Sequence, residues 1–435
     1  MKNLLLGKKL RGKRLTAVLL AFVIILSNIL SDELTVRAAT VSGNDVAIFD
    51  EENMPDSLTV TEDLTLEQDM VIYDLTVDSG TLNLDGHSLT VQGNLIQPGG
   101  SILLNGGSLL VGGDYRIQSE SRVGEERAFV KGYGSLQMDK PQDYVLVEGD
   151  FWADTCESLL WSYGTFEIKG DFQIAEGTYF KANYGHTLVV SGSNGQRIAL
   201  NCADNVGLYH LQIENESEEG LFFAAPVYVA GTITDNGCPK EGVITFDRDT
   251  KLADGKYTGD IVCLWELTLT EEWSIQGNLT LKYGASIAGE LKVYGDLMTE
   301  ERLRLSGENA SVYVEGCFYS TSWNSWSMGS VEVEGDFVCE DSLWTSGTNV
   351  IILSGQSEQR VSLVRESSVY QLKLYNDSDE GIWSKTPFKV KILEKNGTRL
   401  RYGMDEGVDG WTLEGDEHLA GDLIQVAGEL QSDRF

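Results

Sequence analysis

Aspartates recur directly behind glycines, among them Asp114, Asp150, Asp171, Asp296 and Asp336. If the chain coils, carboxylates at one repeated position form a ladder along an edge, and like charges a strand spacing apart, ~4.8 Å, repel by about 1 kcal/mol in water. A divalent cation would relieve that repulsion, and calcium, which favours carboxylate oxygens, is the natural candidate. The same position also holds Asn94, Asn278 and Cys317. Asp and Asn share the ability to hydrogen-bond their own backbone at a chain corner, which accounts for both residue types together. The corner role therefore outweighs the metal role, and no metal ligands and no cofactor are expected.

Other chemistry is sparser. His87, His186, His210 and His418 share no repeated position and make no HExxH pair, so they read as core or surface residues. No GxSxG elbow, Walker loop, Rossmann fingerprint, EF-hand loop or GGxGxD nonapeptide is present. Cys156, Cys202, Cys238, Cys263, Cys317 and Cys339 form no CxxC pair. They read as unpaired thiols packed like small hydrophobes, with Cys317 and Cys339 about one repeat apart and able to stack on neighbouring coils. Trp152, Trp161, Tyr163, Tyr319, Trp323, Trp326 and Trp344 suit either a platform for sugar rings or core filling.

The elements that must position these residues are short strands. A block of two alternating apolar residues, a spacer, a glycine, a small polar residue and an apolar one recurs as Leu89, Val91, Gly93, Asn94, Leu95 and as Val145, Val147, Gly149, Asp150, Phe151. In the second half it returns as Leu291, Val293, Gly295, Asp296, Leu297 and as Val331, Val333, Gly335, Asp336, Phe337. Alternation with period two is the mark of a half-buried strand. The glycine is expected to supply backbone angles that bend the chain. Successive glycines stand about twenty residues apart, and a unit of that size buries its apolar side only by stacking on its neighbours. The prediction is an all-β fold, a parallel β-helix or β-solenoid with coils of about twenty residues.

A longer period lies over this one. Ile352, Leu353, Ser354, Gly355, Gln359 and Arg360 repeat Val189, Val190, Ser191, Gly192, Gln196 and Arg197 at a shift of 163 residues. The predicted organisation is a signal peptide at 1–38, a linker at 39–57, solenoid blocks at 58–242 and 243–400, and the start of a third block at 401–435. The signal rests on Lys8, Lys9, Arg11, Lys13 and Arg14 ahead of an apolar run from Leu15 to Leu30, with Val36 and Ala38 before the cleavage point. The third block stops after scarcely one coil, which suggests a longer parent with further C-terminal modules. The net charge of -34 opposes binding to nucleic acid or to anionic membranes.

The strings DGHSLTVQGNL, DYVLVEGDF, GTFEIKGDF and LVVSGSNGQRIAL resemble those of large secreted repeat proteins of Gram-positive bacteria, over about residues 58–435. The resemblance implies parallel β-helical stalks set ahead of other modules, with no catalytic residues to carry over. The expected function is a noncatalytic extracellular stalk or adhesin-like surface module, not an enzyme, free of the membrane once the signal is cleaved. Its expected partners are surface glycans or other cell-surface proteins. The alternative is a carbohydrate-binding or carbohydrate-active β-helix of the polysaccharide lyase or hydrolase kind.

Overall fold

The computed structural model describes residues 38–41, 57–123, 126–201, 207–364, 367–384, 388–395, 398, 400–402 and 412–420. Residues 1–37, the body of the segment predicted as a signal helix, lie outside them, as do Cys202 and most of 401–435. Among the described residues no helix is long and apolar enough to cross a membrane.

The chain winds as an all-β parallel solenoid of about 16 turns. Each turn has three sides. In the first half, one turn runs from Ser88–Val91 on the first face to Leu95–Ile96 on the second and Ser101–Leu103 on the third. It then reaches Ser108–Val111, which pairs in parallel with Ser88–Val91, Leu109 opposite Leu89 and Val111 opposite Val91. Strands of three to four residues alternate buried and half-exposed positions, as the period-two pattern predicts. The stack includes Ala38–Val41, paired in parallel with Ser57–Val60, and Thr412–Ala420, paired with Lys389–Lys395.

One continuous core fills the interior, from Leu58 to Leu393. Each aliphatic side chain removed from water contributes roughly 1.5–3 kcal/mol. In the first half the core turns aromatic: the Phe151 ring lies 5.2 Å from Tyr115, 4.9 Å from Phe166 and 5.1 Å from Phe172. Within this aromatic cluster the polar tips of Trp161 and Tyr115 are satisfied. Trp161 Nε1 donates to Leu136 O at 3.0 Å, and Tyr115 Oη donates to Gln97 Oε1 at 2.6 Å.

The stretch from Ser119 to Asp143 widens one coil with an antiparallel hairpin of Ser119–Val123 and Glu126–Val130. The excursion closes on Asp143, whose buried carboxylate accepts from the backbone N–H groups of Gly106, Asp139 and Lys140.

The duplication carries a rotation that the sequence did not announce. In the first half the Gly-Asp corner joins the first face to the second. The third face continues through Gly207 and Leu208, which link to Ala182 and Val229, into Val227–Val229, Val243–Phe246 and Asp260–Cys263. From Asp260 onward that same face receives the strand that follows the corner, as at Leu279–Leu281 and Leu297–Thr299. The second copy is therefore turned by one face about the solenoid axis, because the duplicated unit holds a whole number of coils plus one third. Excising residues 197–359 joins Gln196 to Arg360 at equivalent points. We expect that variant to keep the parallel β circular-dichroism signature and cooperative melting, whereas an excision half a coil shorter loses both.

Candidate functional site

The aspartates singled out from sequence do line up, at two edges. Along the first, Asp74 Oδ1 accepts from Asn94 N–H at 2.7 Å, Asn94 Oδ1 from Asp114 N–H at 2.9 Å, and Asp114 Oδ1 from Asp150 N–H at 3.0 Å. Asp150 then accepts from Asp171 N–H and Asp171 from Arg197 N–H, each at 2.8 Å. The second edge repeats this from Asp260 through Asn278, Asp296 and Cys317. Cys317 Sγ takes the acceptor position towards Asp336 N–H at 3.4 Å, and Asp336 accepts from Arg360 N–H at 2.7 Å.

Two expectations are corrected here. The corner side chain bonds the backbone of the next coil, not its own. The repeated glycine does not supply a left-handed bend either, since Gly93, Gly113, Gly149, Gly170, Gly295, Gly316 and Gly335 are absent from the positive-φ positions. It is required for close approach: a Cβ on Gly170 would stand 2.3 Å from Gly149 O and 2.5 Å from Asp150 Oδ1. Stacked glycines also bond each other, Gly170 N–H to Gly149 O at 3.1 Å and Gly335 N–H to Gly316 O at 3.0 Å. We expect Gly170→Ala to cost about 1–3 kcal/mol in chemical denaturation through overpacking. Asp150→Ala, which strips the Asp171 N–H of its acceptor, should cost about 1–3 kcal/mol, while Asp150→Asn should stay near wild type.

Each ladder ends on a buried amide network that the sequence reading noted only as a repeat. Gln196 Oε1 accepts from Gly192 N–H, and its Nε2 donates to Ile168 O and Gly170 O. Asn215 Nδ2 donates to Gln196 Oε1 at 2.8 Å. Gln359 and Asn376 reproduce every one of these bonds with Gly355, Val333 and Gly335. A buried amide with all its partners fixes the register of the coils around it.

Burial, with the Asp150 carboxylate adding to it, outweighs the Arg197 N–H and holds the Asp171 carboxyl above its ordinary range. Among the described residues no group of three or more His, Cys, Asp or Glu is placed to hold a metal ion.

The seven aromatics do not form one platform. Trp161 and Trp326 are core residues, the latter donating Nε1 to Leu303 O at 2.8 Å. Trp152 and Tyr319 are half-buried on outward positions of their strands. Tyr163 stacks on Tyr184, 6.3 Å between centroids, many coils from Trp323 and Trp344. The sequence reading missed an exposed strip in the second half. There Arg248 lies over Trp265 at 4.8 Å, Trp265 stacks on Tyr283 at 6.3 Å, and Arg302 lies over Trp323 at 3.9 Å. Its signal was aromatic and arginine residues about one coil apart.

Of the five described cysteines, all free, Cys238, Cys263 and Cys339 are buried, Cys317 is half-buried and Cys156 is exposed. Cys339 stands opposite Ser320, so it does not stack on Cys317. Burial pushes the Cys263 thiol up to about 12. His186 is fully buried beside Trp161, and neither ring nitrogen has a hydrogen-bond partner among the described residues. His210 instead accepts Thr232 N–H at Nδ1, 2.9 Å away.

No protein-family model, no curated protein and no solved structure matches the chain, so its geometry alone supports a functional reading.

Proposed function

We propose that the chain is a noncatalytic extracellular stalk or adhesin-like module, exported by a Gram-positive bacterium and carried within a larger secreted repeat protein. One observation carries this reading: the recurrent corner aspartates each use Oδ1 to hold the next coil's backbone. The residues best suited to acid, base or metal chemistry are thereby part of the scaffold. A continuous core with parallel pairing from turn to turn suits a rigid spacer, because every turn is braced by the two beside it. Membrane-impermeant labelling of intact cells should reach the chain, and a polysaccharide lyase and hydrolase screen should give no turnover. Turnover of any polysaccharide overturns the noncatalytic reading.

A carbohydrate-binding reading draws on the exposed strip of Trp265, Tyr283, Trp323 and Trp344. Exposed aromatic surface of this kind marks an interaction. Retention on a glycan array that is lost in Trp323→Ala/Trp344→Ala supports it, and equal retention of both proteins removes it.

A further inference from the structure

Where the two copies meet, the corner ladder lapses between Arg197 and Asp260, and a different polar group occupies the interior. Lys240 Nζ lies 2.6 Å from Asp235 Oδ1, with the two side chains 0% and 2% exposed. Nζ also donates to Cys238 O at 2.8 Å and lies 5.3 Å from the centre of the Tyr257 ring, which shields it. The carboxylate is gripped at both oxygens: Gly237 N–H donates to Oδ1 at 2.9 Å and Thr258 N–H to Oδ2 at 2.7 Å. Tyr257 Oη, buried in the same cluster, has no hydrogen-bond partner among the described residues.

We propose that Lys240 and Asp235 condense into an intramolecular isopeptide bond. A dry ion pair bears the desolvation cost of two charges, and an amide replaces both with one neutral group. The amine and a carboxylate oxygen are held 2.6 Å apart, so the reaction gains the high effective concentration of an oriented intramolecular step. A proton passes from Nζ to Oδ1 along their hydrogen bond, giving a neutral amine and a carboxylic acid. The Nζ lone pair attacks Cγ, forming the N–C bond and moving a pair of electrons onto Oδ2, where the Thr258 N–H receives the negative charge as an oxyanion donor. A second proton moves from Nζ to Oδ1, the Cγ–Oδ1 bond breaks, and its electron pair leaves with a water molecule as the Cγ=Oδ2 bond reforms. One ammonium and one carboxylate become one amide and one water, with no oxidant, reductant or co-reactant. The product ties Thr232–Asp235 on the first face to Lys240–Glu241 on the second, at the point where the ladder lapses.

Tryptic digestion of the denatured full chain, read by tandem mass spectrometry, tests this. Lys240 is followed by Glu241, so an unmodified chain is cut there. The expected result is no cut at Lys240 and a peptide holding Asp235 and Lys240 that is lighter by one water, with fragment ions that place the link between them. Dehydration at Asp235, or loss of ammonia at Asn236–Gly237, would leave Lys240 cleavable and overturns the proposal, as does recovery of the peptide at its full sequence mass. Asp235→Asn should keep the link with loss of ammonia in place of water, and Lys240→Arg should abolish it. The wild-type peptide decides the matter even if neither variant folds.

Discussion

Replacing Phe151 with alanine is expected to lower the unfolding free energy by about 3–5 kcal/mol, read as a fall in the denaturation midpoint at constant slope. The side chain is fully buried and meets aromatic rings on three coils: Tyr115 before it, Trp161 and Phe166 around it, and Phe172 after it. Truncation opens a cavity that the parallel strands on either side cannot close, because Phe151 is in register with Tyr115 and Phe172 through backbone pairing. The comparison is Glu148→Ala, which removes an exposed ion pair of 2.7 Å to Lys169. That change should cost less than about 1 kcal/mol. If the two variants shift the midpoint equally, the stacked aromatic core is not the main source of stability in this half of the solenoid.

Acid should destabilise the fold through His186. Burial, with the nearby His210 adding to it, lowers its pKa from 6.5 to about 3. The native imidazole stays neutral while the unfolded one takes up a proton below about 6.5. Stability is therefore full above about pH 6.5 and falls as the pH drops towards 3, by about 5 kcal/mol in total from this one group. His210 is lowered by its own burial and acts in the same direction, so the test is a difference. The gap in unfolding free energy between wild type and His186→Leu should widen steadily between pH 7 and pH 4. The leucine variant should also be no less stable at pH 7, since it removes two buried nitrogens that have no partner among the described residues. A constant gap across that range would show that the ring takes up its proton in the folded state.

Much of the solenoid was legible in the residues. Alternation at Leu89 and Val91, or at Val331 and Val333, is a property of four consecutive positions, and it gave both the strands and their inward faces. The equivalence of Gln196 with Gln359 was also visible. Its meaning was not, because each amide is completed by carbonyls on a neighbouring coil. The aromatic residues show the same limit: from composition Trp161 and Trp326 suited either a sugar platform or core filling, and only their place on inward strand positions makes them core.

By itself the sequence determined the strand, the corner and the coil of about twenty residues, since those follow from the alternation of side chains and from where glycine falls. The tertiary structure decided why that glycine is needed, which backbone each corner aspartate holds, how the second copy is turned by one face, and that Lys240 meets Asp235 away from water. The physical reason is range. Strand alternation is set within a few bonds of each residue, whereas these contacts, apart from the local Lys240–Asp235 pair, join positions about a coil apart. All of them arise only once the stack has fixed which residue lies above which.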